Sequence, residues 1–215
     1  MRILFVLSFF YLTACGQANV KPSGPNPQAR RLRDSASRFF VSSPDQLEQV
    51  IALLDQSTAI DSNYAVAFSD KITYQLLAHR HEEALGTTER LARLFPKDPK
   101  WLLTGGTVHQ ALGRDTEAKA RYTHAIKLID AILDTLPKKA DDYVLLQSAK
   151  GMALVLNDQE AAGQKLLQQL LSEQTNPVQR QFLQQFVGKD KSQLLDMFLN
   201  GGSETQSVDA IPSDQ

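Results

Sequence analysis

Few residues of this chain have the types and spacing that catalysis or metal binding requires. The four histidines fall into two pairs, His79 with His81 and His109 with His124. His79 and His81 occupy a predicted turn between paired helices, and with no carboxylate triad nearby a solvated turn is the favoured interpretation. His109 and His124 lie on successive predicted helices, so a shared site stays open, although packing or surface roles are favoured. The sequence therefore predicts no metal site and no cofactor.

Catalytic motifs and acid pairs give no stronger signal. The sequence contains no phosphate-binding loop and no HExxH, GxSxG or CxxC motif. Adjacent carboxylates occur at Asp141-Asp142, but they open a predicted helix, where the helix dipole favours negative charge whatever the function. We therefore predict no catalytic residues, and an envelope enzyme acting on peptidoglycan or glycans is the least favoured function.

The only cysteine, Cys15, stands at the end of an apolar run near the start of the chain. Met1-Arg2 gives a short positive start, and the ten residues from 3 to 12 are mostly apolar. Such a run is too short for a membrane span of about twenty residues, so it predicts the core of a signal peptide. With one cysteine, neither an internal disulfide nor a zinc site built on several thiolates is possible.

Leu12-Thr13-Ala14-Cys15 resembles the lipobox of bacterial lipoproteins, in which an aliphatic residue and two small residues precede the modified cysteine. The resemblance implies a signal peptide at 1–14, a diacylglyceryl thioether on Cys15, and acylation of the new amine, with palmitate as a typical acid. Two or three acyl chains anchor a protein far better than one. Gly16, in place of Asp, favours outer-membrane sorting by similarity to Gram-negative lipoproteins, whereas a Gram-positive source would leave the protein outside its only membrane. We expect a lipid-anchored outer-membrane protein that faces the periplasm.

Composition limits the remaining function classes. The chain has 215 residues, of which 42% are hydrophobic and 22% charged, and its net charge is −1. That content can bury a sizeable core, which excludes a wholly disordered chain. Nucleic-acid binders are normally basic, so no nucleic-acid partner is expected. Residues 15–33 contain Pro22, Pro25 and Pro27, and this composition is typical of an extended tether between an anchor and a folded domain.

From Asp34 onward, apolar residues recur at three- and four-residue spacing, which predicts helices and no sheet. Helix starts are indicated where a capping residue precedes a proline, at Ser43-Pro44, Asp98-Pro99 and Asn176-Pro177. Helix ends are indicated at Gly113 and Gly188, and Pro137 ends a long helix. We predict about ten helices in an all-α domain over residues 34–200, followed by a disordered polar tail at 201–215.

Two stretches of this helical domain repeat each other. Glu83-Ala84 and Glu117-Ala118 are identical dipeptides, separated by about 34 residues, an interval called here the repeat interval. In the second unit Gly106 lies on the first helix of the pair, and Tyr122 follows four residues after the small residue that opens the second helix. The pattern resembles the tetratricopeptide repeat family, in which each repeat is a pair of helices. The resemblance implies a right-handed solenoid of helix hairpins, with the helices from Pro177 to Asn200 capping its open end.

Ligands of this family lie in a concave groove that the first helices line. The resemblance therefore implies a partner-binding groove formed by Val66, Ser69, Thr73, Leu76, Leu103, Thr107 and Gln110. None of these side chains is charged, and we expect both threonines to be partly exposed. Such a groove suits an extended or helical apolar peptide segment. Burial of each leucine by the next repeat is the open alternative.

The favoured function is a membrane-anchored periplasmic scaffold that binds an envelope protein in a secretion, pilus or outer-membrane assembly. The lipobox, the tether, the repeats and the lack of a catalytic set all favour it. The alternative is a periplasmic immunity lipoprotein that neutralises a toxic effector from a neighbouring cell, because such a role requires only binding. An adjacent toxin gene would discriminate between the two.

Overall fold

A computed structural model describes residues 24–138 and 140–200 of the protein. The predicted signal peptide (1–14), Cys15, the beginning of the tether (15–23) and the predicted tail (201–215) lie outside the described residues. Within the described ranges, no helix combines the length and the apolar character that crossing a membrane requires.

The secondary structure of the described residues is entirely helical, which confirms the predicted all-α class. None of these residues forms a strand. The helices that the structure describes are α1 (Pro27–Ser42), α2 (Leu47–Ile60), α3 (Ala65–Leu77), α4 (His81–Leu94), α5 (Pro99–Ala111), α6 (Asp115–Leu133), α7 (Asp141–Leu156), α8 (Glu160–Glu173), α9 (Pro177–Gln184) and α10 (Lys191–Asn200).

Helices that are adjacent in sequence pack against each other from α1 to α8. The strongest contacts are within the pairs α1–α2, α3–α4, α5–α6 and α7–α8, and the second helix of each pair also contacts the first helix of the next pair. The helix pairs therefore stack on one another in chain order. Here α3, α5 and α7 are the first helices of three successive pairs.

The last two helices do not continue this stack. Helix α9 contacts α8, whereas α10 turns back and contacts α3, α5 and α7. The prediction that both helices cap the open end is therefore wrong for α10. Its residues Leu194 and Met197 are buried, because the first helices offer apolar surface that removes these side chains from water.

Two of the predicted capped helix starts are confirmed and one is wrong. The side chains of Asp98 and Asn176 accept backbone N–H groups from the first turns of α5 and α9, and proline follows each of them. Ser43-Pro44 lies instead in a turn, and α2 begins only at Leu47. The reason is that the backbone N–H of Ser43 still bonds to the Phe39 carbonyl of α1 at 2.8 Å, so this residue closes one helix and does not open the next.

The helical domain starts before residue 34, because Asn26 caps α1. The Asn26 side chain accepts the backbone N–H of Gln28 at 2.9 Å, and residues 27–33, which were predicted as tether, are helical. Ala29 is fully buried, and its carbonyl accepts the Ser57 hydroxyl at 2.7 Å. The first turn of α1 is thereby fixed against α2, and the predicted tether is shorter by these residues.

Helices of a pair come close together where a glycine faces a neighbouring chain segment. A Cβ atom on Gly106 of α5 would lie 2.6 Å from Cδ1 of Tyr122 of α6, and the Tyr122 side chain is fully buried. Between α7 and α8, a Cβ atom on Gly163 would lie 2.5 Å from the carbonyl oxygen of Gly151. Interiors packed to this density have no room for an added methyl group. Both contacts therefore depend on glycine.

Candidate binding site between the first helices and α10

A cavity of about 140 Å³ lies on the inward side of α3, α5 and α7, a surface called here the first-helix face. Five of the seven predicted groove residues line the cavity: Ser69, Thr73, Leu76, Leu103 and Thr107. The other two, Val66 and Gln110, are not among its lining residues, and the Gln110 amide donates to Asp115 at 2.6 Å. Most of the predicted groove residues thus share one wall of a partly covered cavity.

Helices α9 and α10 cover this cavity, which the sequence interpretation missed. These helices, together with α7 and the turn after α9, add apolar lining residues to those of α3 and α5: Met152, Leu156, Phe182, Phe186, Met197 and Phe198. The spacing of Leu194, Leu195 and Phe198 indicates an amphipathic helix in the sequence. That spacing predicts which side of the helix is apolar, but it does not predict which surface of the protein this side packs against.

Polar contacts fix the beginning of α10. Asp190 and Gln193 form a reciprocal cap, in which each side chain accepts the backbone N–H of the other residue at 2.8–3.0 Å. Lys191 Nζ lies 2.7 Å from a carboxylate oxygen of Asp158 in the turn between α7 and α8. Gln164 of α8 donates to a backbone carbonyl of the turn before α10 at 2.7 Å. The helix is thus held at its start by polar contacts and along its length by apolar packing.

Lys100, at the start of α5, places a cation in the cavity wall. Its Nζ donates to Oγ of Ser69 at 3.1 Å and lies 4.4 Å from the centre of the Trp101 ring. All three residues line the cavity. Burial lowers the pKa of Lys100 to about 8, against the opposing effects of Asp98 and Asp70. The sequence interpretation missed this residue, because a lysine near a helix start is usually solvated.

The two carboxylates near Lys100 also bind other groups. Arg33 Nε donates to Oδ2 of Asp70 at 2.6 Å, and Oδ1 of Asp98 accepts the backbone N–H of Lys100 at 3.0 Å. Burial raises the pKa of both carboxyls, although these hydrogen bonds act in the opposite direction. Arg33 falls in the segment predicted as tether, and its contact ties α1 to α3 beside the cavity.

The threonine hydroxyls of the first-helix face bond to their own helices. Thr73 donates to the Ser69 carbonyl at 3.3 Å and Thr107 donates to the Leu103 carbonyl at 3.1 Å. Thr73 is half-buried, as expected. Thr107 is only 5% exposed, so the expectation of partial exposure is wrong for it, because it lies beside the buried Tyr122. These hydroxyls present oxygen lone pairs to the cavity, since their protons are already bonded.

None of the four histidines is among the residues that line the cavity. The rings of His79 and His81 have their centres 5.9 Å apart, and His79 lies in a left-handed turn with φ of 56°. His109 is buried, and burial, helped by the charge of Arg121, lowers its pKa, whereas His124 is exposed. In residues 24–138 and 140–200, no group of three His, Cys, Asp or Glu side chains is placed to hold a metal ion.

Comparison of the chain with protein families and with curated proteins gives no match. The cavity, the first-helix face and α10 are therefore the features from which a function follows.

Proposed function

We propose that this protein is a membrane-anchored periplasmic adaptor of the tetratricopeptide-repeat type, whose first-helix face binds an apolar helical segment of an envelope protein. The observation that carries the proposal is α10, an amphipathic helix of the same chain that lies across α3, α5 and α7. A face that accepts this helix has the polarity and spacing to accept another helix of the same kind. The proposal requires binding only and no catalytic step.

Ion pairs that recur at the repeat interval support the repeat assignment. Arg80 lies 3.0 Å from Glu48, and Arg114 lies 2.5 Å from Glu82. The two arginines are one repeat interval apart, as are the two glutamates. Each pair links the start of one second helix to the second helix of the preceding pair, so successive units are joined in the same way.

The backbone between the paired helices recurs with the same period. His79 and Gly113 are one repeat interval apart and both have positive φ, 56° and 70°. Ala84 and Ala118, separated by the same interval, are both fully buried. A common turn followed by a small buried residue is the arrangement that the resemblance to the repeat family implies, and it supports a solenoid of helix hairpins.

The proposed location rests on the resemblance of residues 12–15 to a lipobox. A lipidated Cys15 would anchor the domain at the outer membrane, facing the periplasm. Replacing Cys15 with Ser removes the thiolate that carries the diacylglyceryl group. We expect Cys15→Ser to lose incorporation of a fatty-acid probe and to leave the membrane fraction. Undiminished labelling of the Ser variant would show that the anchor is wrong.

A partner helix must compete with α10 for the first-helix face, and this competition gives the test. Thr73→Arg places a bulky charge on the face, where an apolar partner cannot satisfy it. Met197→Lys places a charge on the buried side of α10, in the cavity that Lys100 also lines, and loosens α10. The two variants should therefore change partner binding in opposite directions, with Thr73→Arg lowering it and Met197→Lys raising it.

The experiment is in-cell cross-linking of the full-length protein, followed by mass spectrometry of the captured envelope proteins. Thr116→Arg is the matched control, because Thr116 is exposed on α6, away from the face. Support requires one captured protein that decreases with Thr73→Arg, increases with Met197→Lys and is unchanged with Thr116→Arg. Capture that is insensitive to Thr73→Arg would overturn the proposed surface, and thermal melts of each variant identify unfolding.

A further inference from the structure

The cavity beneath α10 has the size of a small-molecule site. Its volume of about 140 Å³ is close to that of an engineered apolar cavity, about 150 Å³, that binds benzene in another protein. It therefore has room for about six to eight non-hydrogen atoms when α10 is in place. A cavity between helices that combines an apolar lining with a few polar groups is a common setting for ligands.

The polar part of the lining combines one cation with several hydroxyl groups. Lys100 contributes an ammonium group beside Ser69 and Trp101. The indole N–H of Trp101 is buried and has no hydrogen-bond acceptor in the part of the chain that the structure describes. Thr73 has already donated its proton to its own helix, so its hydroxyl can only accept. A ligand with an anionic oxygen suits the ammonium group in this wall, because hydrogen bonds between charged groups are the stronger ones.

Apolar side chains from α7, α9 and α10 face the cavity together with those of α3 and α5. Met152 of α7, Phe182 of α9 and Met197 of α10 line it. Flexible methionine side chains adapt to ligands of irregular shape, and aromatic rings offer large apolar surfaces. A hydrocarbon group in contact with these residues would be removed from water, which is favourable in proportion to its area.

We propose that this cavity binds a small apolar carboxylate of about four to six carbon atoms, with the carboxylate at Lys100 and the hydrocarbon group against Phe182 and Met197. The inference goes beyond the proposed adaptor function and does not depend on it. A carboxylate would accept charge-assisted hydrogen bonds from the ammonium group. Burial disfavours the charge on Lys100, and the carboxylates of Asp98 and Asp70 favour it. A bound carboxylate would act in the same direction as these two carboxylates.

The chain offers a direct readout of the cavity. It contains three methionines, and the two that follow the first residue, Met152 and Met197, both line the cavity. Labelling the methionine methyl groups with ¹³C therefore places a nuclear magnetic resonance probe on two sides of the site. The titration uses the purified protein, with sodium hexanoate as the probe and 1-hexanol and hexylamine as comparison ligands.

We expect hexanoate to shift both methyl signals saturably and hexylamine to bind at least about tenfold more weakly, because its cation repels that of Lys100. Lys100→Leu should weaken hexanoate binding by at least about tenfold, as expected for loss of a charge-assisted hydrogen bond, and leave hexanol binding unchanged. Lys71→Leu is the matched control: Lys71 pairs with Asp55 at 2.5 Å and does not line the cavity. Thr104→Phe fills the cavity and should abolish binding of all three.

Three outcomes would overturn the assignment. If neither methyl signal shifts saturably, the cavity takes no such ligand. Equal binding of hexanoate and hexylamine, or of hexanoate to the wild type and to Lys100→Leu, would show that Lys100 recognises no carboxylate. Hexanoate binding that survives Thr104→Phe would place the ligand elsewhere. Because no partner protein is present, none of these results depends on the adaptor function.

Discussion

The pairs α5–α6 and α7–α8 are in close contact at Gly106 and Gly163, whereas α10 lies across the first-helix face over a cavity. Neither Gly106 nor Gly163 has room for a methyl group, but about 140 Å³ stays unfilled under α10. The cavity is only partly covered, and Lys100 and several hydroxyl groups line it, so it has the character of a ligand site and not of a sealed void in a core. The contacts at Gly106 and Gly163 admit no added methyl group, whereas the space under α10 admits added atoms.

The largest expected effect is at the closest contact between two paired helices. Gly163→Ala would place Cβ 2.5 Å from the Gly151 carbonyl oxygen and 2.6 Å from Cγ2 of Val155, so α7 and α8 must separate. We expect a loss of about 3 kcal/mol in the free energy of unfolding, at the upper end for overpacking. Urea denaturation of the purified domain measures it.

The control for this substitution is Gly86→Ala. Gly86 is exposed on α4, and a Cβ atom there would meet nothing within 4 Å. Alanine is a better helix former than glycine by about 0.8–1 kcal/mol, so this variant should gain stability. If both alanine variants were equally stable, the close packing of α7 on α8 would be wrong.

The next largest effect tests whether equivalent positions of two units are packed alike. Ala84 and Ala118 are both fully buried and stand at the same place in units that are one repeat interval apart. Ala84→Leu and Ala118→Leu should each lower the free energy of unfolding by about 1–3 kcal/mol through overpacking. Thermal melts that match the wild type for both variants would contradict the repeat register.

A smaller effect concerns the charge at the edge of the cavity. The pKa of Lys100 is about 8 in the folded protein, below its ordinary value of 10.5. Between these pH values the unfolded chain binds more protons, so the stability of the wild type rises with pH in this window. Lys100→Leu should be more stable than the wild type by about 1–2 kcal/mol at pH 7. That advantage should shrink as the pH rises from 8 toward 10.5, and urea melts at pH 7 and 10 measure it.

The smallest expected effect tests whether the cavity under α10 can accept a larger side chain. Thr104 lines the cavity and is half-buried, so Thr104→Leu adds apolar volume where space exists. We expect a gain of about 0.5–1 kcal/mol, typical of cavity filling, and slower hydrogen exchange in α10. Thr116→Leu, at an exposed position, should leave exchange in α10 unchanged. Faster hydrogen exchange in α10 of the Thr104→Leu variant would mean that the cavity has no room for the added side-chain volume.

The helical class and five residues of the cavity wall could be predicted from the sequence because they follow from local spacing. Ser69, Thr73 and Leu76 lie at four- and three-residue intervals, so any helix through them puts them on one side. The capped starts at Asp98 and Asn176 are equally local signals. Asn26-Pro27 is also a capping residue followed by a proline, but the neighbouring prolines favour the prediction of a tether over that of a helix start.

The rest could not be predicted because it depends on contacts between distant residues. The apolar spacing of α10 says nothing about whether the helix covers the end of the stack or lies across it. Lys100 is held in the cavity wall by its contacts with Ser69, on the preceding first helix, and with the Trp101 ring. The prediction that Thr107 is partly exposed is wrong for a similar reason, since Tyr122 of the following helix lies beside it.

If Cys15 carries the proposed lipid anchor, the start of α1 limits the distance between the helical domain and the membrane. Asn26 is the eleventh residue after Cys15, and a chain of that length reaches at most about 40 Å at roughly 3.6 Å per residue. A domain anchored in this way would stay within a shallow layer above the bilayer. A partner segment anchored in the same layer would meet the first-helix face at an effective concentration of about millimolar order. Even a weak contact between a helix and this face would then be occupied most of the time.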